Sequence, residues 1–90
     1  MMAVYVDNAR LKFGRMKMCH MVADTQAELL DMALKLGVLR WAQKANTVYE
    51  HFDLSLMKRK QAISLGAVEV DSRKLVSIIT QKRTISGAKA

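Results

Sequence analysis

The chain has no proline, one cysteine, four glycines and a single tryptophan, and each shortage removes a class of answer. Without proline the sharpest marker of segment ends is gone, so helix and strand limits must be read from caps and glycine stops. A lone Cys19 closes no intrachain disulfide, cannot build a zinc finger, and suits a reducing compartment. Gly14, Gly37, Gly66 and Gly87 stand far apart, so there is no glycine-rich phosphate loop, and dinucleotide or P-loop binding of the usual kind is not expected. No apolar stretch reaches the roughly 18 residues of a membrane span. The first residues lack the basic-then-apolar pattern of a secretory leader. These absences predict a soluble cytoplasmic domain with no membrane association.

Ninety residues, 51% of them hydrophobic, are enough for one packed domain but not two. The formal charge is +7, and it is uneven: residues 1–50 carry +2 and residues 51–90 carry +5. Lys58-Arg59-Lys60, Arg73-Lys74 and Lys82-Arg83 supply most of the second half. Such a surplus favours polyanionic partners, whether nucleic acid, nucleotides or an acidic protein, although solvated helix faces give the same composition.

Apolar periodicity predicts the order β-β-α-β-α-β-α, a single small α/β domain whose sheet is mixed or mostly parallel, with flanking helices. Ala3–Val6 reads as a buried strand and Asp7–Arg15 as a loop. Met16–Ala23 alternates, with Met18, His20 and Val22 on one face and Cys19, Met21 and Ala23 on the other. Thr25 and Glu28 have the spacing of a capping box, and Leu29, Ala33 and Leu36 form the stripe of a helix stopped by Gly37. Val48–Leu54 alternates as a third strand. Ser55 caps a helix running to about Leu65, Ala67–Val70 is a short strand, and Asp71 or Ser72 starts a last helix ending near Arg83. Residues 1–83 then form the domain, and 84–90 a frayed tail.

The residues that carry chemistry are few. His51 and Asp53, two apart on a strand, share a face, and a polar pair there costs stability unless paired or used. His20 lies on one face of the second strand, with Asp24 four residues on and Asp7 at the end of the first strand. These five, His20, His51, Asp53, Asp7 and Asp24, are the candidate catalytic residues. Arg15 and Lys58 are the candidate phosphate-binding residues, the latter in the first turn of a helix where exposed amides also favour anions. Each has a structural alternative: His20 as a buried histidine bonded to a carbonyl, Asp24 as a helix-start residue, Asp7 as a turn former. Cys19 beside His20 points to the opposite face, so a thiol–imidazole pair is not expected. The methionines suit core packing, and Trp41 between basic residues offers one surface for stacking a base.

Three mechanisms remain open. Carboxylates and histidine hold a divalent cation; or the two histidines act as general acid and base on a nucleotide; or the site binds without reacting. No H-E-x-x-H motif fixes a metal, so the metal's identity, and whether the chain is an enzyme, stay open. The competing expectation is a non-enzymatic basic module that binds nucleic acid or an acidic host protein through Lys58, Arg59, Lys60, Lys82 and Arg83. A homodimer that completes its core across a two-fold axis is a third.

Four blocks in order, Met-Ala-Val-Tyr-Val-Asp, Gly-Arg-Met-Lys-Met-Cys-His-Met-Val-Ala-Asp, His-Phe-Asp-Leu-Ser with Lys58-Arg59, and Leu-Gly-Ala-Val-Glu-Val, resemble the small bacterial and phage-borne family catalogued as domain of unknown function 4031. The resemblance covers about residues 2 to 83. It implies a residue pattern, not a mechanism: Asp7, Gly14-Arg15, His20 with Asp24, the triplet His51-Phe52-Asp53, and basic Lys58. The family's usual tyrosine in the triplet is phenylalanine here, which puts any hydroxyl role at that position in doubt.

Overall fold

Every strand of the sheet but one takes its register from the third. The computed structural model describes the backbone of residues 3–87 and the side chains of residues 3–82. In chain order the elements are β1 (Val4–Val6), β2 (Leu11–Phe13), β3 (Met16–Ala23), α1 (Gln26–Leu36), a 3-10 turn (Leu39–Trp41), β4 (Phe52–Ser55), α2 (Leu56–Ser64), β5 (Val68–Glu69) and α3 (Ser72–Gly87). Met18 pairs with both Leu11 and Ser55, and Met21 with both Val6 and Phe52. A strand has only two edges, so β4 occupies one edge of β3, and β1 and β2 share the other as two pieces of one interrupted strand. β5 then lies parallel to β1, with Tyr5 opposite Val68. The sheet takes the mixed form of the expectation, with β1–β5 its one parallel pairing among the described residues.

Among the strands, two stretches differ from the sequence reading. Asp7–Arg15, expected as loop, contains β2, which folds back on β3 through a turn with Gly14 at φ +60°. Glycine in the first central position suits the tight hairpin turns whose twist matches the flanking strands. All three β2 residues are exposed, so Leu11-Lys12-Phe13 lacked the half-buried alternation that betrays a strand. The strand expected over Val48–Leu54 starts late. Thr47 donates its hydroxyl to the Lys44 carbonyl and Glu50 its amide to Thr47, which ties 44–50 into a local turn. His51 precedes β4 and pairs with Gln43 in an isolated bridge outside the sheet.

Both faces of the sheet are covered. On one, Val4, Val6, Met21, Ala23, Phe52 and Leu54 pack against Leu29, Met32, Ala33 and Leu36 of α1 and Ala62 of α2. On the other, Tyr5 and Val22 meet Leu75, Ile78 and Ile79 of α3. The helices form where the caps are. Thr25 accepts the Glu28 amide and gives its hydroxyl to the Glu28 carboxylate, and Gly37 closes α1 at φ +74°. Ser55 accepts the Lys58 amide at the start of α2, and Asp71 accepts the Lys74 amide at the start of α3. Thr25→Ala is expected to lower unfolding free energy by about 1 kcal/mol, read as a lower urea midpoint with an unchanged slope. α3 runs to Gly87, past its expected end near Arg83. Residues 88–90 of the tail lie outside the described residues. No helix among the described residues is long and apolar enough to cross a membrane.

Candidate functional site

Asp7 directly follows β1 and, two residues beyond Tyr5, falls on the face that α3 covers. Its amide still bonds the His20 carbonyl, continuing the ladder, but its side chain is 1% exposed. A buried carboxylate must have its lone pairs filled, and this one does. Oδ1 accepts the amides of His20 at 2.7 Å and Ala9 at 3.2 Å, while Oδ2 faces His20 Nδ1 at 2.8 Å and the Ser72 hydroxyl at 3.5 Å. With Asp7 as carboxylate, His20 Nδ1 is the donor, and in the neutral ring the lone pair is on Nε2.

His51 reaches the same tautomer by another route. Its Nδ1 lies 2.8 Å from the Tyr49 carbonyl, which can only accept, so Nδ1 carries a proton and in the neutral ring the lone pair is again on Nε2. The two Nε2 atoms converge on one group. Asp53 stands directly across from His20 in the β3–β4 register, and its Oδ1 lies 3.9 Å from His20 Nε2 and 3.7 Å from His51 Nε2. The rings meet edge-to-face with centroids 5.7 Å apart. Asp7, His20 and His51 line a cleft of about 240 Å³ whose far wall is Ser72, Leu75, Val76 and Ile79 of α3. Asp53, 41% exposed, sits within reach of both rings.

Four of the five predicted acid and histidine residues therefore come together. The fifth does not: Asp24 accepts the Ala3 amide at 2.8 Å and the Tyr5 hydroxyl at 3.1 Å, which fastens the start of β1 to the end of β3, and it does not line the cleft. Burial, and then the bond to Asp24, push the Tyr5 phenol above its ordinary pKa.

The predicted cations are also elsewhere. Arg15 is exposed in the β2–β3 turn, and Lys58 is half-buried on α2, whose Ala62 packs on the sheet face opposite the cleft. Arg59 is committed internally: Nε donates to the Asp7 carbonyl at 2.6 Å and a terminal nitrogen to Glu69 at 3.0 Å. Lys82 donates to the Ala23 carbonyl at 2.9 Å. Burial lowers its pKa, with Asp24 and Glu50 opposing that shift. Lys60 is exposed, and the Arg83 side chain lies outside the described residues. Cys19 is buried, on the face opposite His20 as alternation required. The described residues contain no group of three His, Cys, Asp or Glu side chains arranged to hold a metal ion.

Four contributors were not read from the sequence. The Tyr49 carbonyl sets the His51 tautomer, Arg59 holds the Asp7 backbone, and Ser72 and Val76 complete the cleft. Val76, an apolar residue of the expected last helix, borders the cleft and stays 59% exposed. Arg59 and Ser72 act through contacts far along the chain, and the Tyr49 carbonyl acts on a ring only two residues away.

The family described as "Protein of unknown function (DUF4031)" matches residues 4–82. Comparison with the curated proteins and with the solved structures finds no match.

Proposed function

The chain belongs to the DUF4031 family, whose description states no activity, and from the geometry of its cleft we propose that it performs general acid–base chemistry on a phosphate-bearing ligand, a nucleotide or nucleic acid. One observation carries the reading. Both imidazoles are pinned through Nδ1, His20 by Asp7 and His51 by Tyr49, and both present Nε2 to the space beside Asp53. Pinning by a buried carboxylate fixes ring angle and tautomer, which is what a proton-transfer group needs. His20, with its lone pair facing the cleft, is the base; His51, when protonated on Nε2, is the acid; Asp53 offers its charge to whichever ring holds the proton.

The phosphate class is favoured by the formal charge of +7, since a cationic body raises the local concentration of anionic ligands. A purely binding role through the Lys58–Lys60 and Lys82–Arg83 faces has less support, because Arg59 and Lys82 are held by internal carbonyls. The proposal includes the reducing, cytoplasmic setting that the single cysteine suggested.

The test uses bis(p-nitrophenyl) phosphate and a fluorophore-labelled oligoribonucleotide as probes. His20→Ala and His51→Ala are each expected to slow turnover by about 10²- to 10⁴-fold, with the His51→Ala thermal midpoint within a few degrees of the parent. That of His20→Ala is expected to be lower, because it takes the ring partner from the buried Asp7 carboxylate while the amides of His20 and Ala9 stay. Parent-like turnover in both variants refutes the proposal, as does loss of fold in both.

A further inference from the structure

The β2–β3 hairpin extends away from the helices that cover the rest of the sheet. From Leu11 to Lys17 every residue is exposed. Cross-strand partners share a face, so the pairs Leu11–Met18 and Phe13–Met16 form one apolar face, and the pair Lys12–Lys17 forms the other. Phe13 is 73%, Leu11 55% and Met16 48% exposed. Arg10 and Arg15 flank these pairs, and no acidic residue occurs from Asn8 to Ala23. Arg10, Lys12, Arg15 and Lys17 form no ion pair among the described residues.

This arrangement costs the free protein stability in two ways. Like charges directly opposite on a ribbon repel, and an aromatic left in water forfeits its burial energy. An anionic partner with flat apolar surfaces relieves both. A second copy of this chain would bring +7 against the same cations, so charge argues against self-association there.

The apolar face leads directly to the cleft. Met16, Met18 and His20 alternate along β3 and so share a face, and Asp53 lies opposite His20. At about 3.3 Å per residue, the ribbon carries a ligand roughly 13 Å from Met16 to the His20 ring.

We propose that this hairpin is the docking surface for single-stranded RNA that wraps the ribbon, with Phe13 stacking on a base on the apolar face, Lys12 and Lys17 taking phosphates on the other, and Arg10 and Arg15 taking them at the ends. Unpaired bases expose the flat faces that aromatic side chains stack on, and basic side chains track the backbone. The choice of RNA rests on the acid–base reading of the cleft. Ribose supplies its own nucleophile, so one base and one acid suffice. His20 Nε2 takes the 2′-hydroxyl proton as the O2′–phosphorus bond forms; the phosphorus–O5′ bond breaks and O5′ takes the proton held on His51 Nε2. The products are a 2′,3′-cyclic phosphate and a 5′-hydroxyl, with no other reactant consumed.

Fluorescence anisotropy with a labelled 16-nucleotide RNA, its DNA counterpart, the DNA duplex and phosphatidylserine vesicles tests the surface separately from the chemistry. Measured in the His20→Ala background, which preserves the RNA, Phe13→Ala is expected to weaken RNA binding about tenfold or more. Lys12→Glu with Lys17→Glu is expected to reduce the slope of log K against log salt by about 1.4. All three changes lie on an exposed hairpin, and unchanged thermal midpoints confirm that the fold is kept. Parent-like affinity in these variants overturns the inference even if the cleft proves catalytic; tighter binding to duplex DNA or to vesicles overturns it in favour of those partners. If RNA binds through the hairpin and no cleavage occurs, the acid–base reading fails and the docking surface stands.

Discussion

Asp7→Asn is expected to leave the chain folded and to cost turnover about 10²- to 10⁴-fold, as much as removing His20 itself. The amide retains an oxygen for the His20 and Ala9 amides that Asp7 Oδ1 now receives, so the loop between β1 and β2 keeps its anchors. The other position becomes an NH2 group facing His20 Nδ1, where an acceptor stood at 2.8 Å. A donor there forces the ring to move its proton to Nε2, and the lone pair that faced the cleft is lost. In serine proteases the same carboxylate-to-amide exchange on the histidine's partner has this effect through the wrong tautomer. Initial rates on the labelled oligoribonucleotide, with circular dichroism as the check on folding, decide it; a rate within threefold of the parent shows that Asp7 is only a structural anchor.

Phe52→Ala is expected to be the most destabilising single change in the chain, at about 3–5 kcal/mol, against a total stability of about 5–15 kcal/mol for a domain of this kind. The Phe52 ring is fully buried, opposite the equally buried Met21 in the β3–β4 register, and packs in the core cluster shared with α1 and α2. Truncation leaves a void that close-packed neighbours fill only in part. Urea titration should show a sharply lower midpoint, and loss under 1 kcal/mol would mean the sheet and helices re-close over the site. Phe52 sits between His51 and Asp53 but points to the other face. A hydroxyl at this position would therefore be carried away from the cleft.

How much of this could be read from the residues follows from which interactions are local. The period-2 rule placed His51 with Asp53, and His20 apart from Cys19, because strand geometry alone decides faces. The caps at Thr25 and Ser55 were legible because a cap acts within three residues. Asp24 misled because it borders a helix start, while its partners, the Ala3 amide and the Tyr5 hydroxyl, are about twenty positions away in the chain. Arg59 and Lys82 read as free surface cations because composition cannot show that a long side chain reaches back to a carbonyl at Asp7 or Ala23. β2 was missed for a related reason: with no buried face, its pairing depends on the Gly14 turn and on β3, not on its own pattern.

The central claim is that His20 and His51 are both anchored through Nδ1 and both turn Nε2 to one shared space beside Asp53. Long-range proton–nitrogen spectra of the imidazoles in nitrogen-15-labelled protein, with and without Asp53→Asn, test it without any substrate. The account predicts that both neutral rings carry the proton on Nδ1, and that the substitution shifts the Nε2 resonances of both rings while leaving Nδ1 nearly unmoved. A neutral ring protonated on Nε2, or a response confined to one histidine, would contradict it.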